Sequence, residues 1–334
     1  MTKPSPTSRH PKPLGGDTAR RTRSSVTFDL SSQVLNNDDG SQKLLMQRKP
    51  SWIRARIPSG EAYLAMRENI QKHDLHTVCQ EASCPNIGDC WTRGTATIMI
   101  LGDICTRSCG FCNVRTGKPS APDYDEPANV GKSIALMGLK HIVITCVDRD
   151  DLTDGGADIW AQTIEQVRKQ APNTSVEALI GDLRGDAQDL ATIIAAKPDI
   201  LAHNLETVPR MHSAVRPQAK YDRSMQVLER ISNAGLVCKT GIMVGIGETD
   251  DEILEMLADI RTKSKAEIIT IGQYLQPSRN HLPIDRWVHP DQFEMYKKEG
   301  LRLGFRVVES GPLVRSSYHA EEQVREYNAQ NADT

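Results

Sequence analysis

From Thr95 onward the chain alternates short apolar runs with amphipathic stretches, and this alternation restricts the fold more than any other feature. Six runs, 96–101, 141–147, 175–180, 199–205, 237–244 and 267–274, are mostly close to continuously apolar. Strands buried on both faces read this way, because helices cover one side of a parallel sheet and packed side chains fill the other. Between the runs, apolar residues return at helical spacing: Val130, Ile134 and Met137; Trp160, Ile164 and Val167; Leu190, Ile193 and Ile194; Val227, Ile231 and Ala234; and Ile253, Leu257 and Ile260. Thr249 followed by Glu252 forms a capping box that starts the last of these helices, and Gly235 ends the one before it. Six βα units are too few for a closed eight-fold barrel. They suit an α/β partial (β/α)6 TIM-like barrel, with a further strand expected at Arg306–Glu309.

The pattern divides the chain into a disordered tail over 1–45, an N-terminal extension over 46–94, the barrel over 95–305 and a C-terminal extension over 306–334. A helix is expected after Ser59, carrying Tyr63, Met66 and Ile70, followed by cysteine-bearing loop. The tail is Arg-bearing and lacks the apolar segment of a secretory signal, which places the thiols in a reducing compartment. The cytoplasm is the expected location. A transit peptide, and hence the mitochondrial matrix, is the alternative. No apolar run approaches the ~18 residues that span a bilayer. The 41 Lys+Arg against 43 Asp+Glu leave a net charge of -2, so neither nucleic acid nor membrane is expected as a partner.

Six of the eight cysteines lie between Cys79 and Cys112, as two triplets. Cys79, Cys84 and Cys90 have C-x4-C-x5-C spacing within the extension. Cys105, Cys109 and Cys112 have C-x3-C-x2-C spacing directly after the first barrel strand, at the mouth where loops collect reactive groups. A structural zinc site wants four ligands, often in tight C-x2-C pairs, although His76 could complete a Cys3His set with the first triplet. Thiolate-held iron–sulfur clusters account for both triplets better. A cubane with three protein ligands keeps one iron open to a fourth, so the count of three is itself a statement about function. Cys146 and Cys238 lie apart and are expected to be buried apolar side chains.

C-x3-C-x2-C with Phe111 before the last cysteine resembles the signature of the radical S-adenosylmethionine superfamily, which shares the partial barrel. The resemblance implies that Cys105, Cys109 and Cys112 hold a [4Fe–4S] cluster whose open iron chelates S-adenosylmethionine, and that reductive cleavage yields a 5′-deoxyadenosyl radical. It places cofactor contacts at Phe111, at Gly155 and Gly156 (where Ala157 stands in place of the usual Glu), at Asn204 and Glu206, and at Gly245 in the loop Gly241 to Glu248. Asn204 and Glu206 read equally as an interior hydrogen-bonded pair, and the glycine loop as a bare turn.

The first triplet, Val147-Asp148-Arg149-Asp150-Asp151 and Arg315-Ser316-Ser317-Tyr318 together resemble the lipoyl-forming family of that superfamily, over about residues 50–320. The resemblance implies insertion of two sulfur atoms, at C6 and C8 of an octanoyl chain amide-linked to a lysine of a lipoyl carrier domain. A second, auxiliary [4Fe–4S] cluster would be the sulfur donor, held by Cys79, Cys84, Cys90 and a serine, Ser317 in preference to Ser316. No catalytic residue beyond the cluster ligands is expected. Implied partners are octanoylated 2-oxoacid dehydrogenase E2 subunits and the glycine cleavage H protein, an electron donor such as ferredoxin or flavodoxin, and an iron–sulfur carrier protein. The competing enzyme is a radical dehydrogenase or maturase whose second cluster relays electrons. A non-catalytic iron–sulfur carrier or zinc module is the competitor from another class, and the βα scaffold speaks against it.

Overall fold

The computed structural model describes residues 48–332 except Arg56, Ile57, Asp74 and Gly94, together with four short strands within 20–44. Those strands are β1 (Arg20–Arg23), β2 (Val26–Asp29), β3 (Val34–Asn36) and β4 (Gln42–Leu44), paired antiparallel β1 with β2 and β3 with β4. They fall in the stretch read from sequence as a disordered tail; the rest of that stretch lies outside the described residues.

The extension begins with α1 (Glu61–Lys72), β5 (His76–Thr77), α2 (Val78–Glu81) and α3 (Ile87–Thr92). The barrel strands are β6 (Thr97–Ile100), β9 (His141–Cys146), β10 (Ser175–Leu179), β11 (Ile200–Ala202), β12 (Val237–Val244), β13 (Ile268–Gln273) and β14 (Val307–Gly311), with a small ladder of β7 (Ile104–Cys105) and β8 (Arg115–Thr116) after the first. The helices are α4 (Glu126–Met137), α5 (Ala157–Gln170), α6 (Ala187–Ala195), α7 (Pro209–Val215), α8 (Tyr221–Asn233), α9 (Asp250–Asp259), α10 (Pro290–Arg302) and α11 (Ala320–Ala332).

One sheet runs β14-β13-β12-β11-β10-β9-β6-β5, parallel throughout except for β5, which pairs antiparallel with β6. The edges β14 and β5 do not pair, so the barrel stays open on one side. Strand β14 supplies the expected seventh parallel strand, so residues 307–311 belong to the sheet although the sequence put 306–334 in an extension. Likewise β5 makes the N-terminal extension continuous with the barrel.

Alternate residues of each strand enter a single core. Ile98, Ile100, Ile144, Val176, Leu201, Ile269 and Ile271 are fully buried, and the helix stripes containing Val130, Trp160, Ile193, Leu228 and Ile253 cover them. The capping box at Thr249 forms, and Gly235 has the left-handed backbone, φ 76°, that ends α8. Two expectations need correcting. The cysteine stretch after α1 is not all loop, since α2 and α3 supply 4 and 6 residues of helix, fewer than two turns each and too little for a periodic apolar signal. The run 199–205 is a strand only at Ile200–Ala202, because Glu206 takes φ 70° and bends the chain across β12.

Candidate active site

The two triplets stand at opposite ends of β6. Thr97 opens the strand and touches the first set; Cys105, Cys109 and Cys112 follow beyond Leu101 at its carboxyl end. At roughly 3.3 Å per residue, the three steps from Thr97 to Ile100 separate these ends by about 10 Å.

Around the first triplet, α1 and α3 build a small apolar core of Met66, Ile70, Cys79, Trp91 and Ala96, with Tyr63 stacked on Trp91 at 5.2 Å. Cys79, Cys84 and Cys90 line one cavity there together with Arg315 and Ser317. Burial pushes the Cys79 thiol up to about 11 and Cys90 up to about 12, reinforced by the neighbouring thiols. Such thiols ionise only beside a compensating cation, which iron provides. Three thiols and a hydroxyl around one apolar cavity therefore fit a cluster with one weak oxygen ligand. Among the described residues no group of three His, Cys, Asp or Glu side chains is placed to hold a single metal ion.

The two serines separate in space. Ser317 Oγ receives a hydrogen bond from Thr97 Oγ1 at 2.8 Å and lines the cysteine cavity. Ser316 Oγ instead accepts from Asn204 Nδ2 at 2.7 Å. Asn204 Nδ2 also donates to Glu206 Oε1 at 3.1 Å, so this pair is internally bonded. Burial raises the Glu206 carboxyl against the opposing charge of Arg216, and Arg315 adds to that opposition from the cavity side.

The second triplet sits on a loop clamped by Arg107, a residue that sequence reasoning missed. The Arg107 side chain is 2% exposed and makes 2.7 Å ion pairs with Asp150 and with Asp182, while its Nη1 stands 3.4 Å from Asp148 Oδ1. Burial alone would raise Asp182, but the charge and hydrogen bond of Arg107 outweigh it and hold the carboxyl at about 2. Backbone N–H groups of Arg107 and Asp148 donate to Cys105 Sγ at 3.4 and 3.3 Å. His281 Nε2 lies 3.0 Å from the Cys112 carbonyl, and Leu282 N–H donates to Gly110 O at 2.9 Å. Burial pushes Cys109 up to about 12 and Cys112 up to about 11. Phe111 is half-buried against the main core. Cys238 is buried as expected, whereas Cys146, at the carboxyl end of β9, is only half-buried.

The glycines have structural duties of their own. Gly156 has φ 91°, and a Cβ there would lie 2.5 Å from Leu101 Cδ1; Gly155 has φ 61° and faces Leu183. At Gly245 a Cβ would lie 2.5 Å from the Arg286 carbonyl, and the N–H groups of Gly245, Ile246 and Gly247 all donate to the Glu248 carboxylate.

An open parallel barrel with a three-thiol loop at the carboxyl end of its first parallel strand defines a radical S-adenosylmethionine enzyme. Residues 99–260 match the model of that superfamily, and residues 23–84 match the N-terminal domain of lipoyl synthase. The chain is 52% identical over 277 residues to "Lipoyl synthase, mitochondrial" of Nematostella vectensis, covering 83% of this chain and 95% of that one. It is 49% identical over 293 residues to lipoyl synthase of Christiangramia forsetii, covering 87% and 100%. The protein belongs to the lipoyl synthase family, whose members are sulfur-inserting enzymes, and membership implies a [4Fe–4S] cluster and S-adenosylmethionine. Among solved structures, the FeFe-hydrogenase maturase of Carboxydothermus hydrogenoformans shares the fold at TM-score 0.53 and 16% identity, covering 79% of this chain and 68% of that one. Methylornithine synthase does so at 0.51 and 15%, covering 74% and 69%.

Proposed function

We propose that Cys105, Cys109 and Cys112 hold the cluster that binds S-adenosylmethionine, and that Cys79, Cys84, Cys90 and Ser317 hold an auxiliary [4Fe–4S] cluster that donates both sulfur atoms to C6 and C8 of a protein-bound octanoyl chain. The observation that carries this reading is the shared cavity of three thiols and Ser317 at the far end of β6 from the other triplet. When bound, the two clusters and S-adenosylmethionine supply the radical and the sulfur. An unactivated methylene has neither an acidic proton nor a leaving group, so general bases and nucleophiles of the protein cannot functionalise it. The chain's own residues hold, orient and exclude water. Arg107 and its three carboxylates fix one thiol loop, and the Asn204–Ser316 and Thr97–Ser317 bonds fix the segment that brings the serine.

Serine is a harder and poorer iron ligand than thiolate, so Ser317 would be the most weakly held of the four ligands of the auxiliary cluster. Phe111, Gly155, Gly156, Asn204, Glu206 and Gly245 are the proposed S-adenosylmethionine contacts, with Gly245 offering backbone shape rather than its N–H, which Glu248 occupies. Octanoylated E2 subunits and H protein are the proposed substrates, a ferredoxin or flavodoxin the electron donor, and an iron–sulfur carrier protein the source of replacement cluster. No helix among the described residues is long and apolar enough to cross a membrane. We place the enzyme in the cytoplasm.

With an octanoyl-lysine peptide, the Cys79→Ala, Cys84→Ala and Cys90→Ala variants should still form 5′-deoxyadenosine and give no thiolated peptide by mass spectrometry. Cys105→Ala, Cys109→Ala and Cys112→Ala should abolish the cleavage itself. Normal lipoyl product from any variant of the first group would refute the donor role.

A further inference from the structure

The cavity that gathers Cys79, Cys84, Cys90 and Ser317 is also lined by a buried imidazole with no role so far, that of His141 at the start of β9. Its side chain is 3% exposed. Ring atom Nδ1 lies 2.8 Å from Ser175 Oγ, whereas Nε2 is buried without a hydrogen-bond partner. Glu177 Oε2 is 3.7 Å from Nε2, beyond hydrogen-bond reach, and both Glu177 oxygens are engaged by Lys239 Nζ at 2.8 and 2.9 Å.

The surroundings select where the ring proton sits. The Ser175 hydroxyl has two acceptors in reach, His141 Nδ1 at 2.8 Å and Lys140 O at 3.2 Å, and the shorter contact is to the ring. With Ser175 donating along the shorter contact to Nδ1, the imidazole proton lies on Nε2, which is buried without a hydrogen-bond partner. The nearby carboxylate favours the same tautomer. The ring thus carries an N–H donor on a wall of the thiol cavity whose nearest protein acceptor, Glu177 Oε2 at 3.7 Å, is an ion-pair neighbour rather than a hydrogen-bond partner. A buried donor left in this state destabilises the fold unless an acceptor arrives.

We propose that His141 donates from Nε2 to a sulfur of the cluster held by Cys79, Cys84, Cys90 and Ser317, with Ser175 and the Glu177–Lys239 pair fixing the ring as its orienting shell. This rests on the auxiliary-cluster reading above. Hydrogen bonds to cluster sulfurs raise the reduction potential. The effect would serve sulfur transfer: a C–S bond formed between a carbon radical and a cluster sulfide would use one electron from each, leaving the other electron of the sulfide lone pair to reduce a ferric iron to ferrous. His141 is a positioning residue that makes the iron a better acceptor of that electron.

The test uses the full-length chain with Cys105, Cys109 and Cys112 all replaced by Ala, so that only the auxiliary site loads. His141→Phe removes the donor and keeps a ring, and His141→Gln restores a donor. Iron and sulfide are counted, the potential is titrated by EPR, and exchangeable-deuteron coupling to the reduced cluster is read by ENDOR after transfer to deuterium oxide. The expected result is the same iron and sulfide content throughout, a more negative potential and a lost deuteron coupling in His141→Phe, and recovery of both in His141→Gln. An unchanged potential and coupling in His141→Phe, or in His141→Ala should the phenylalanine variant fail to load, overturns the proposal while the auxiliary cluster stands. A parent that binds no cluster at all overturns the reading beneath it as well.

Discussion

Arg107 shows how one side chain sets the geometry of a thiol loop. It is buried, and its ion pairs reach Asp150 and Asp182 at 2.7 Å, with the Asp182 carboxylate wholly buried. Removing the cation leaves that carboxylate only Arg223, whose Nη1 lies 3.3 Å from its other oxygen, and breaking one side of a buried pair costs up to about 3–5 kcal/mol. Arg107→Gln should lose stability of that order in urea unfolding of the apoprotein, and should load less iron at the second triplet. Arg107→Lys should recover little of either, because an ammonium cannot reproduce the forked contacts to two carboxylates. A lysine variant as stable as the parent would mean that charge alone holds the loop. None of this was legible in the sequence. Asp148 and Asp150 follow β9 and Asp182 follows β10, so the set exists only once parallel strands bring their carboxyl ends together. The cysteines were legible because their spacing is local. The preference for Ser317 over Ser316 came from the resemblance of the C-terminal motif; the tertiary partners that part the two serines, Thr97 for one and Asn204 for the other, were not readable there.

Between elements, His203 ties the end of β11 to α8, with Nδ1 2.9 Å from the Ile180 carbonyl and Nε2 2.9 Å from Ser224 Oγ. Burial, with the nearby Arg216 charge, pushes its pKa down to about 4 from the ordinary 6.5. The unfolded chain therefore binds more protons than the folded one between these values, and stability rises with pH across that window. At pH 4 the penalty from this residue is on the order of 3 kcal/mol relative to pH 7. Urea midpoints of the apoprotein at pH 4.5, 5.5, 6.5 and 7.5 should climb and then level off, and His203→Gln should flatten the climb; an equally steep variant would assign it to other groups, such as His212. The crossing of the C-terminal segment over β13 is similarly specific. A Cβ at Gly272 would lie 2.1 Å from the Val314 carbonyl, a backbone atom that cannot rotate away. Gly272→Ala should keep the sheet but displace Ser317, reducing the loaded enzyme from about eight irons toward four. Full iron content with unaltered auxiliary-cluster spectra would show that the segment yields without moving its serine. The strands and long helices were readable because their apolar periods extend over several turns or alternations. The short helices α2 and α3 were not, since fewer than two turns hold too few residues to define a period.

Across the whole molecule, the two ends of the described chain meet on the open side of the barrel. Asn86 Nδ2 donates to Leu313 O at 2.7 Å, Arg93 pairs with Glu322 at 2.6 Å, and Thr97 bonds Ser317, partners separated by 220 residues or more in sequence. The cavity for the first triplet is therefore walled by both ends and exists only when both are docked. The strands β9 to β13, by contrast, are paired on both sides within the sheet. Regions held by few contacts open with less free energy than a central sheet, so the two ends should open as one unit before the barrel does. Amide hydrogen exchange read by mass spectrometry checks this. Residues 76–93 and 312–322 should exchange at matching rates, faster than 141–146 and 237–273. Asn86→Ala combined with Arg93→Ala should accelerate both end segments together and leave the central strands unchanged. The exposed Arg93–Glu322 pair contributes at most about 1 kcal/mol by itself, so most of the change should come from the buried Asn86 bond. If only the N-terminal segment accelerated, the ends would be independent, and the serine would hold its place without the thiols opposite it.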